Sequence, residues 1–590
     1  LKEGDLMSDT KACIVQRDRT VLLECGHPGF EDARGKLAHF AELVKSPSAF
    51  HTYRITPLSL WNAASLGWTA EEIVDVLASI SRWEVPSALI QDIRSLVGRY
   101  GKLRIEAGKA EAGKLRLTAS DPQLLDEVLA IPAVQASGLR RAAPEQAELD
   151  AVRRGRIKQE LTRLGYPVLD LAGYHEGQPL QLGWKAQGGS FALRDYQQAA
   201  ADAFEGVAGS GGSGVLVLPC GAGKTVIGLG VLEKQQCECL ILTSNATSVG
   251  QWIAELTDKT TLDPSQIGEY TGQKKEVRPV TVATYQILTH RRSKEDEFEH
   301  MRLFNERNWG LIIYDEVHLL PAPVFRATAD IQATRRLGLT ATLVREDGCE
   351  QDVFSLIGPK RYEMPWKELE SMGWIAKVEC TEVRVAMEPE LREAYAYAEG
   401  KEKFRIAAEN PGKLEVVRRL LAKHPDESIL IIGQYIDQLQ QLSESLGIPL
   451  ISGRMAHKER GRLYESFKRG EIRVLAVSKV ANFAVDLPDA SVAIEISGSF
   501  GSRQEEAQRL GRILRPKTGN NRAYFYALVS QESKEEDFAI RRQLFLVEQG
   551  YEYSVRYDSD PGLLSHGSGH ERTSGPAKER SIPDIKEASS

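Results

Sequence analysis

Residues 214–232 read GVLVLPCGAGKTVIGLGVL: an apolar run, a glycine-rich turn, then a second apolar stretch. Such a sequence fits a buried strand joined to a helix through a tight loop, and that pairing constrains the fold more than any other segment. Gly221 and Gly223 allow backbone N–H groups to close round a phosphate, and the helix N-terminus adds partial positive charge. Lys224 is spaced to reach terminal phosphates and Thr225 to ligate Mg²⁺. Pro219, Cys220, Gly221, Ala222, Gly223, Lys224 and Thr225 therefore form the candidate phosphate-binding set. Leu218 stands where the general pattern has a further glycine.

The strand-and-helix rhythm around this loop extends the inference. Between Phe191 and about Lys360 the apolar stretches GVLVLP, CLILTS, VTVATY, LIIYDE and RLGLTAT alternate with helical segments. The rhythm resumes with ESILIIG, PLISG, RVLAVS, ASVAIEIS and RAYFYALVS. Strands alternating with helices mean parallel βαβ units. The fold class is α/β, with one parallel-sheet domain over 191–365 and another over 411–550. A charged helical piece, ELREAYAYAEGKEKFRIAAENP, lies in the 366–410 linker between them. GSGGSG at 209–214 is expected to be a flexible loop.

Upstream, residues 1–50 carry no assignable pattern. A helical module is expected over 51–101: Thr69 and Glu72 form a capping box, Ile73, Leu77 and Ile80 share a face, and a second helix buries Ile90, Ile93 and Val97. A small α/β module follows over 102–185, and the Ser-, Gly- and Pro-rich stretch 551–590 is expected to be a disordered tail.

A length of 590 residues allows about four domains. The seven cysteines show no paired C-x-x-C spacing, so neither structural metal nor an iron–sulfur cluster is expected. No apolar run is long enough to cross a membrane, and the first residues carry charge where a secretory signal would be apolar, which predicts a cytoplasmic protein. Leu1 and Met7 both remain as starts. A net charge of −7 gives no overall attraction to a polyanion, so any nucleic acid must be held by local basic grooves and backbone donors.

Two further segments carry chemistry. LIIYDEVH places Asp315 and Glu316 at the end of an apolar strand, where ligands of open α/β sheets bind. Asp315 would hold Mg²⁺ and Glu316 would polarise the attacking water; His318 either couples the domains or stabilises the turn. QRLGRILRP in the second lobe supplies Gln508, Arg512 and Arg515. A permanently charged planar guanidinium suits a phosphoryl group in transfer, and such a finger contributes roughly 10³ to 10⁵ in rate.

The order of these segments resembles helicase superfamily 2, whose phosphate loops take the L-P-x-G-x-G-K-T form seen at Leu218–Thr225. Within it the chain resembles the XPB type, in its prokaryotic branch. LRDYQ resembles the adenine-reading segment, with Arg194 and Gln197 toward the base, unless Gln197 is only an exposed position on an amphipathic helix. SNATSVGQW (Gln251, Trp252) and ATYQIL (Thr284) resemble strand-tracking segments, and LGLTAT (Thr340, Thr342) the coupling segment. Arg345-Glu346-Asp347 directly after it resembles the RED motif of XPB proteins. IIGQYIDQLQQL (Gln434) and VSKVANFAVDLPDASVAIEIS (Asp486) resemble second-lobe segments. The helical piece near Glu390–Pro411 occupies the place of the family's thumb, or is a solvated interlobe helix. The module after residue 101 sits where the family has a damage-recognition-like domain.

The resemblance implies two RecA-like domains, ATP and Mg²⁺ as cofactors, 3'–5' movement on DNA without base specificity, a role in DNA repair like nucleotide excision repair, association with the nucleoid and a nuclease partner. A scaffold that recruits a nuclease, a restriction-type translocase and an RNA helicase are the competing readings.

Overall fold

A computed structural model describes residues 11–46, 49–108, 113–185, 191–205, 211–291, 293, 298–332, 334–342, 350–453, 455–478, 490–498, 510–511, 513, 521–551 and 553–560. Arg345, Glu346, Asp347, Asp486, Gln508, Arg512 and Arg515 lie outside the described residues.

The N-terminal unit is a four-stranded antiparallel sheet, β1 (Cys13–Val15), β2 (Thr20–Glu24), β3 (Glu42–Lys45) and β4 (Phe50–Arg54), in the order β1-β2-β4-β3. Helix α1 (Phe30–Leu37) lies within it and α2 (Pro57–Ser65), α3 (Ala70–Ile80) and α4 (Ser87–Val97) follow. The expected boundary at residue 51 is thus corrected, because His51 sits inside β4, and residues read as unassigned supply three of the four strands. The strands are short and joined by polar turns, which leaves little period-2 signal. Thr69 and Glu72 do form the capping box, and Ile73, Leu77 and Ile80 are buried. On α4 the buried stripe is Leu89, Ile93 and Leu96 rather than 90, 93 and 97. Both stripes satisfy helical spacing, and packing decides: the Trp61 indole N–H donates to the Leu96 carbonyl at 3.1 Å.

The next unit is a five-stranded mixed sheet of β5 (Leu103–Ala107), β6 (Lys114–Ala119), β7 (Arg140–Ala143), β8 (Gln146–Asp150) and β9 (Val168–Leu171), in the order β7-β8-β6-β5-β9. Helices α5 (Pro122–Ala130), α6 (Pro132–Ala136) and α7 (Arg154–Arg163) accompany it. Buried Arg154 and Lys158 on α7 both bond Asp170, at 2.8 and 2.7 Å.

Lobe 1 opens with α8 (Asp195–Glu205), then β10 (Ser213–Val217), α9 (Lys224–Gln235), β11 (Cys239–Thr243), α10 (Ala246–Lys259), β12 (Ile267–Tyr270), β13 (Val280–Thr284) and α11 (Tyr285–Leu288). It continues with β14 (Leu311–Asp315), α12 (Ala322–Asp330), β15 (Arg335–Thr340), α13 (Glu350–Asp352) and β16 (Lys360–Glu363). All pairings are parallel, in the order β12-β13-β11-β14-β15-β10-β16. Residues 215–218 explain why the strands read as continuous apolar runs: Val215 and Val217 enter the core on one sheet face, Leu216 and Leu218 that on the other. Part of the expected flexible loop is strand, because Ser213 and Gly214 belong to β10. Gly214 is held by close backbone approach: a Cβ on Gly358 would stand 2.6 Å from the Gly214 nitrogen.

Lobe 2 comprises α14 (Trp366–Ser371), β17 (Lys377–Val385), α15 (Pro389–Tyr397), α16 (Gly400–Ala408), α17 (Gly412–Lys423), β18 (Ile429–Gly433), α18 (Ile436–Leu446), β19 (Leu450–Ile451) and α19 (His457–Lys468). Then come β20 (Val474–Ser478), β21 (Val492–Glu495), β22 (Arg522–Ser530), α20 (Lys534–Glu548) and β23 (Tyr553–Tyr557). Its sheet is also parallel, in the order β19-β20-β18-β21-β22-β17-β23. Two expected boundaries are corrected. The second sheet begins at Lys377, not 411, and β23 extends it past 551 into the expected tail. Both strands flank the lobe's core at one side of the sheet, so neither continues the regular βαβ rhythm that marks the rest.

Candidate active site

Register brings the sequence-predicted residues of lobe 1's phosphate loop, coupling segment and Asp-Glu pair to one edge of the lobe 1 sheet. Val217 pairs with Thr340, and Leu339 with Asp315, so the phosphate loop, the coupling segment and the Asp-Glu pair leave three adjacent strands at their C-terminal ends. Ligands of open parallel sheets bind at this edge.

The loop turns through Gly221 and Gly223 at φ +83° and +79°, left-handed conformations that favour glycine. Behind it stands α8. The Gln197 Nε2 donates to the Ala222 carbonyl at 3.0 Å, as does the Tyr196 hydroxyl at 2.8 Å, and the Gln197 Oε1 accepts from the Arg194 backbone N–H at 3.1 Å. Gln197 is buried, so it is not an exposed helix position. A Cβ on Gly223 would meet its Nε2 at 2.6 Å. The Arg194 guanidinium stacks 4.0 Å over the Trp374 ring, at the rim of this region.

Lys224 Nζ lies 3.5 Å from the Pro219 carbonyl and 3.9 Å from Glu316 Oε1. Burial alone would depress this ammonium, but the negative potential of Cys220, Glu316 and Asp315 outweighs it and holds Lys224 above its ordinary value. Burial and the adjacent Glu316 carboxylate push the Asp315 carboxyl up to about 6, against the opposing pull of the Trp252 N–H and Lys224. Glu316 itself adopts φ +51°, unusual for a residue with a side chain. Such strain of roughly 1–3 kcal/mol persists only where surrounding structure imposes it.

His318 is buried, with Nδ1 2.7 Å from Thr340 Oγ1. The Thr340 hydroxyl donates to the Thr342 carbonyl at 2.6 Å and accepts from the Thr342 N–H at 3.1 Å. Its single proton being committed to that carbonyl, Nδ1 is the donor to Thr340. The D-E-V-H box and the coupling segment are thus one hydrogen-bonded cluster.

The strand-tracking expectations divide. Gln251 is exposed on α10. Trp252 is buried, and its indole N–H donates to Asp315 Oδ2 at 2.9 Å; it faces the carboxylates, which corrects its assignment to a nucleic-acid surface. Thr284 is likewise buried, its hydroxyl accepting from the Ile287 N–H to cap α11, so it is corrected in the same sense. In lobe 2 the Gln434 N–H donates to Ser497 Oγ at 2.8 Å. Although Arg512 is outside the described residues, its neighbour Gly511 lies against the phosphate loop: a Cβ there would stand 2.3 Å from Cys220 Cβ. Sequence reading missed Trp374, the Tyr196 hydroxyl and the role of Trp252; for the last two, the aromatic residue inside the quoted segments LRDYQ and SNATSVGQW was the available signal.

The side chains at this edge are chemically compatible with a magnesium nucleotide. Thr225 and Asp315 offer hard oxygen donors, and Glu316 Oε2 is buried without a hydrogen bond of its own.

Residues 369–562 match the family described as ERCC3/RAD25/XPB C-terminal helicase, 13–143 that described as helicase conserved C-terminal domain, and 190–345 that of the type III restriction enzyme res subunit. The DNA 3'-5' helicase XPB of Mycobacterium tuberculosis is 51% identical over 93% of this chain and 98% of its own length. The chain belongs to the XPB helicase family. The XPB protein of Kineococcus radiotolerans is 52% identical over 92% of the chain and 96% of its own length. The XPB/SSL2 subunit of general transcription and DNA repair factor IIH from Saccharomyces cerevisiae is 32% identical over 92% of the chain and 71% of its own length. The restriction-enzyme match is confined to lobe 1, whereas XPB relatives align with both lobes and the N-terminal units.

Proposed function

We propose that this chain is an ATP-driven DNA helicase or translocase of 3'–5' polarity that serves DNA repair. The observation that carries the reading is the convergence, at the ends of three neighbouring strands, of Lys224, the Asp315-Glu316 pair and the His318-Thr340-Thr342 cluster. ATP would lie along the phosphate loop, with Lys224 at its terminal phosphates and Arg194 and Gln197 toward the base. Thr225 and Asp315 would hold magnesium, which supplies charge neutralisation between the phosphates. Glu316 would orient the attacking water. Arg512 and Arg515, with Gln508, would approach from lobe 2, a reading supported by the seat of Gly511 on Cys220.

Once the γ-phosphate is gone, the lobes would lose a shared ligand, and the His318–Thr340 hydrogen bond would pass that change from the D-E-V-H box to the coupling segment. Phosphate contacts make DNA affinity sequence-independent and salt-sensitive. Gln251, Gln434 and Asp486 are proposed to touch the strand, and Arg345, Glu346 and Asp347 to act in strand separation. A nuclease partner and residence on the nucleoid belong to the same reading.

Lys224→Ala tests it. The variant is expected to lose ATP hydrolysis while keeping most DNA binding; turnover by the purified variant would overturn the assignment.

A further inference from the structure

Helix α10 runs beside the phosphate-loop helix, and its one large buried aromatic residue reaches the carboxylate edge. The Trp252 indole N–H donates to Asp315 Oδ2 at 2.9 Å. Room for the ring comes from Gly228 on α9: a Cβ there would stand 2.6 Å from Trp252 Cη2 and 3.3 Å from Leu339 Cδ1. Tyr285 completes the enclosure, its hydroxyl donating to the Asp315 carbonyl at 2.9 Å. A carboxylate free to rotate offers a cation two interchangeable oxygens. One whose Oδ2 is tied to an indole offers Oδ1 in a fixed direction.

We propose that Trp252 is a positioning residue for magnesium nucleotide, aligning Asp315 through its N–H; the proposal rests on reading Asp315 as the metal carboxylate. Packing alone does not account for the contact. An apolar ring of similar size would fill the space beside Gly228, but would leave Oδ2 of the half-buried Asp315 without the indole donor. Outer partners of metal-binding carboxylates typically matter about 10- to 100-fold in metal affinity.

The test is equilibrium binding of a fluorescent ADP analogue to the full chain, once in EDTA and once in excess Mg²⁺, for wild type and Trp252→Phe. The expected result is unchanged affinity in EDTA with the gain from Mg²⁺ reduced about tenfold. Replacing Trp252 by 3-benzothienylalanine keeps the ring's volume, removes only the N–H, and is expected to give the same loss should the phenylalanine variant fold poorly. Gly228→Ala, which crowds the indole from the other helix, is expected to act in the same direction. An undiminished gain from Mg²⁺ would overturn the proposal, as would equal weakening in both conditions, the mark of an indole that only packs. A wild type whose ADP affinity ignores Mg²⁺ would instead remove the reading of Asp315, and the proposal with it.

Discussion

Leu218 illustrates how a single side chain separates one kind of phosphate loop from another: it is fully buried in the core and its N–H donates to the Thr340 carbonyl at 3.0 Å. The missing glycine is therefore a packing position that ties the loop to the coupling strand. Gly223 has the opposite constraint, and Gly223→Ala should lose at least about 1–2 kcal/mol from the left-handed backbone alone. Displacement of Gln197 adds to that loss, and calorimetry together with nucleotide binding measures both. Thr340→Val strips the hydroxyl from His318 and Thr342. It should cost about 1–3 kcal/mol in stability and reduce stimulation of hydrolysis by DNA more than hydrolysis without DNA, a comparison that steady-state assays make directly. Lys224, Asp315 and Glu316 were legible because each motif has a fixed place relative to its strand. Trp252 was not: an aromatic residue at helical spacing fits a core and a surface equally well, and only the fold shows its indole aimed at Asp315.

Elements were legible where period and caps agreed. The buried apolar strands β10, β11, β13, β14, β18, β20 and β21 and the Thr69 capping box are where the sequence places them, whereas β17 and β23, which alternate polar and apolar residues, are not. The N-terminal sheet was hidden because its strands are short, and the α4 stripe was off by one position because two stripes share the helical period. That sheet carries a pH-sensitive residue. Burial, reinforced by the Arg34 charge, depresses the His51 imidazole on β4 to about 4 from 6.5. Between those values the unfolded chain binds a proton that the folded sheet does not, so the unit loses stability as pH falls through the window. The loss approaches about 3 kcal/mol at its lower end. Hydrogen exchange at Val21, Leu23 and Tyr53, compared at pH 7 and 4.5, should show it, and His51→Phe should flatten it. The thumb-like pair α15 and α16 offers less free charge than its sequence suggests. Arg405 pairs with Glu409 and Asp437, and Lys403 lies 4.8 Å over the Tyr395 ring. Neutralising exposed Lys401 together with Lys403 should therefore weaken DNA binding more than changing Arg405, as titration at moderate salt would reveal.

At the scale of the molecule, the N-terminal unit bridges the two lobes. Asn62 Oδ1 accepts from the Lys360 N–H at 3.1 Å and Ser65 Oγ donates to the Lys360 carbonyl at 3.2 Å, both on lobe 1. Arg34 and the Leu43 N–H bond Glu548 on α20 of lobe 2, at 3.2 and 3.3 Å, and Leu544 from the same helix enters the N-terminal core. A cavity of about 430 Å³ at this junction reaches Thr342 of the coupling segment. Any change of interlobe angle must strain one of these attachments. Leu544→Ala should weaken the lobe 2 attachment by about 2–5 kcal/mol, and fluorescence energy transfer between the lobes should then report a broader distance distribution without nucleotide. None of this bridging was legible, since the contacts join residues hundreds of positions apart with no local pattern. The most direct measurement is ATP hydrolysis by the full chain without nucleic acid and with single-stranded DNA, duplex DNA, forked DNA or RNA. A DNA motor is predicted to hydrolyse ATP in a Mg²⁺-dependent manner, with stimulation by DNA well above that by RNA and lost in Lys224→Ala. Equal stimulation by RNA, or a rate indifferent to every nucleic acid, would contradict it.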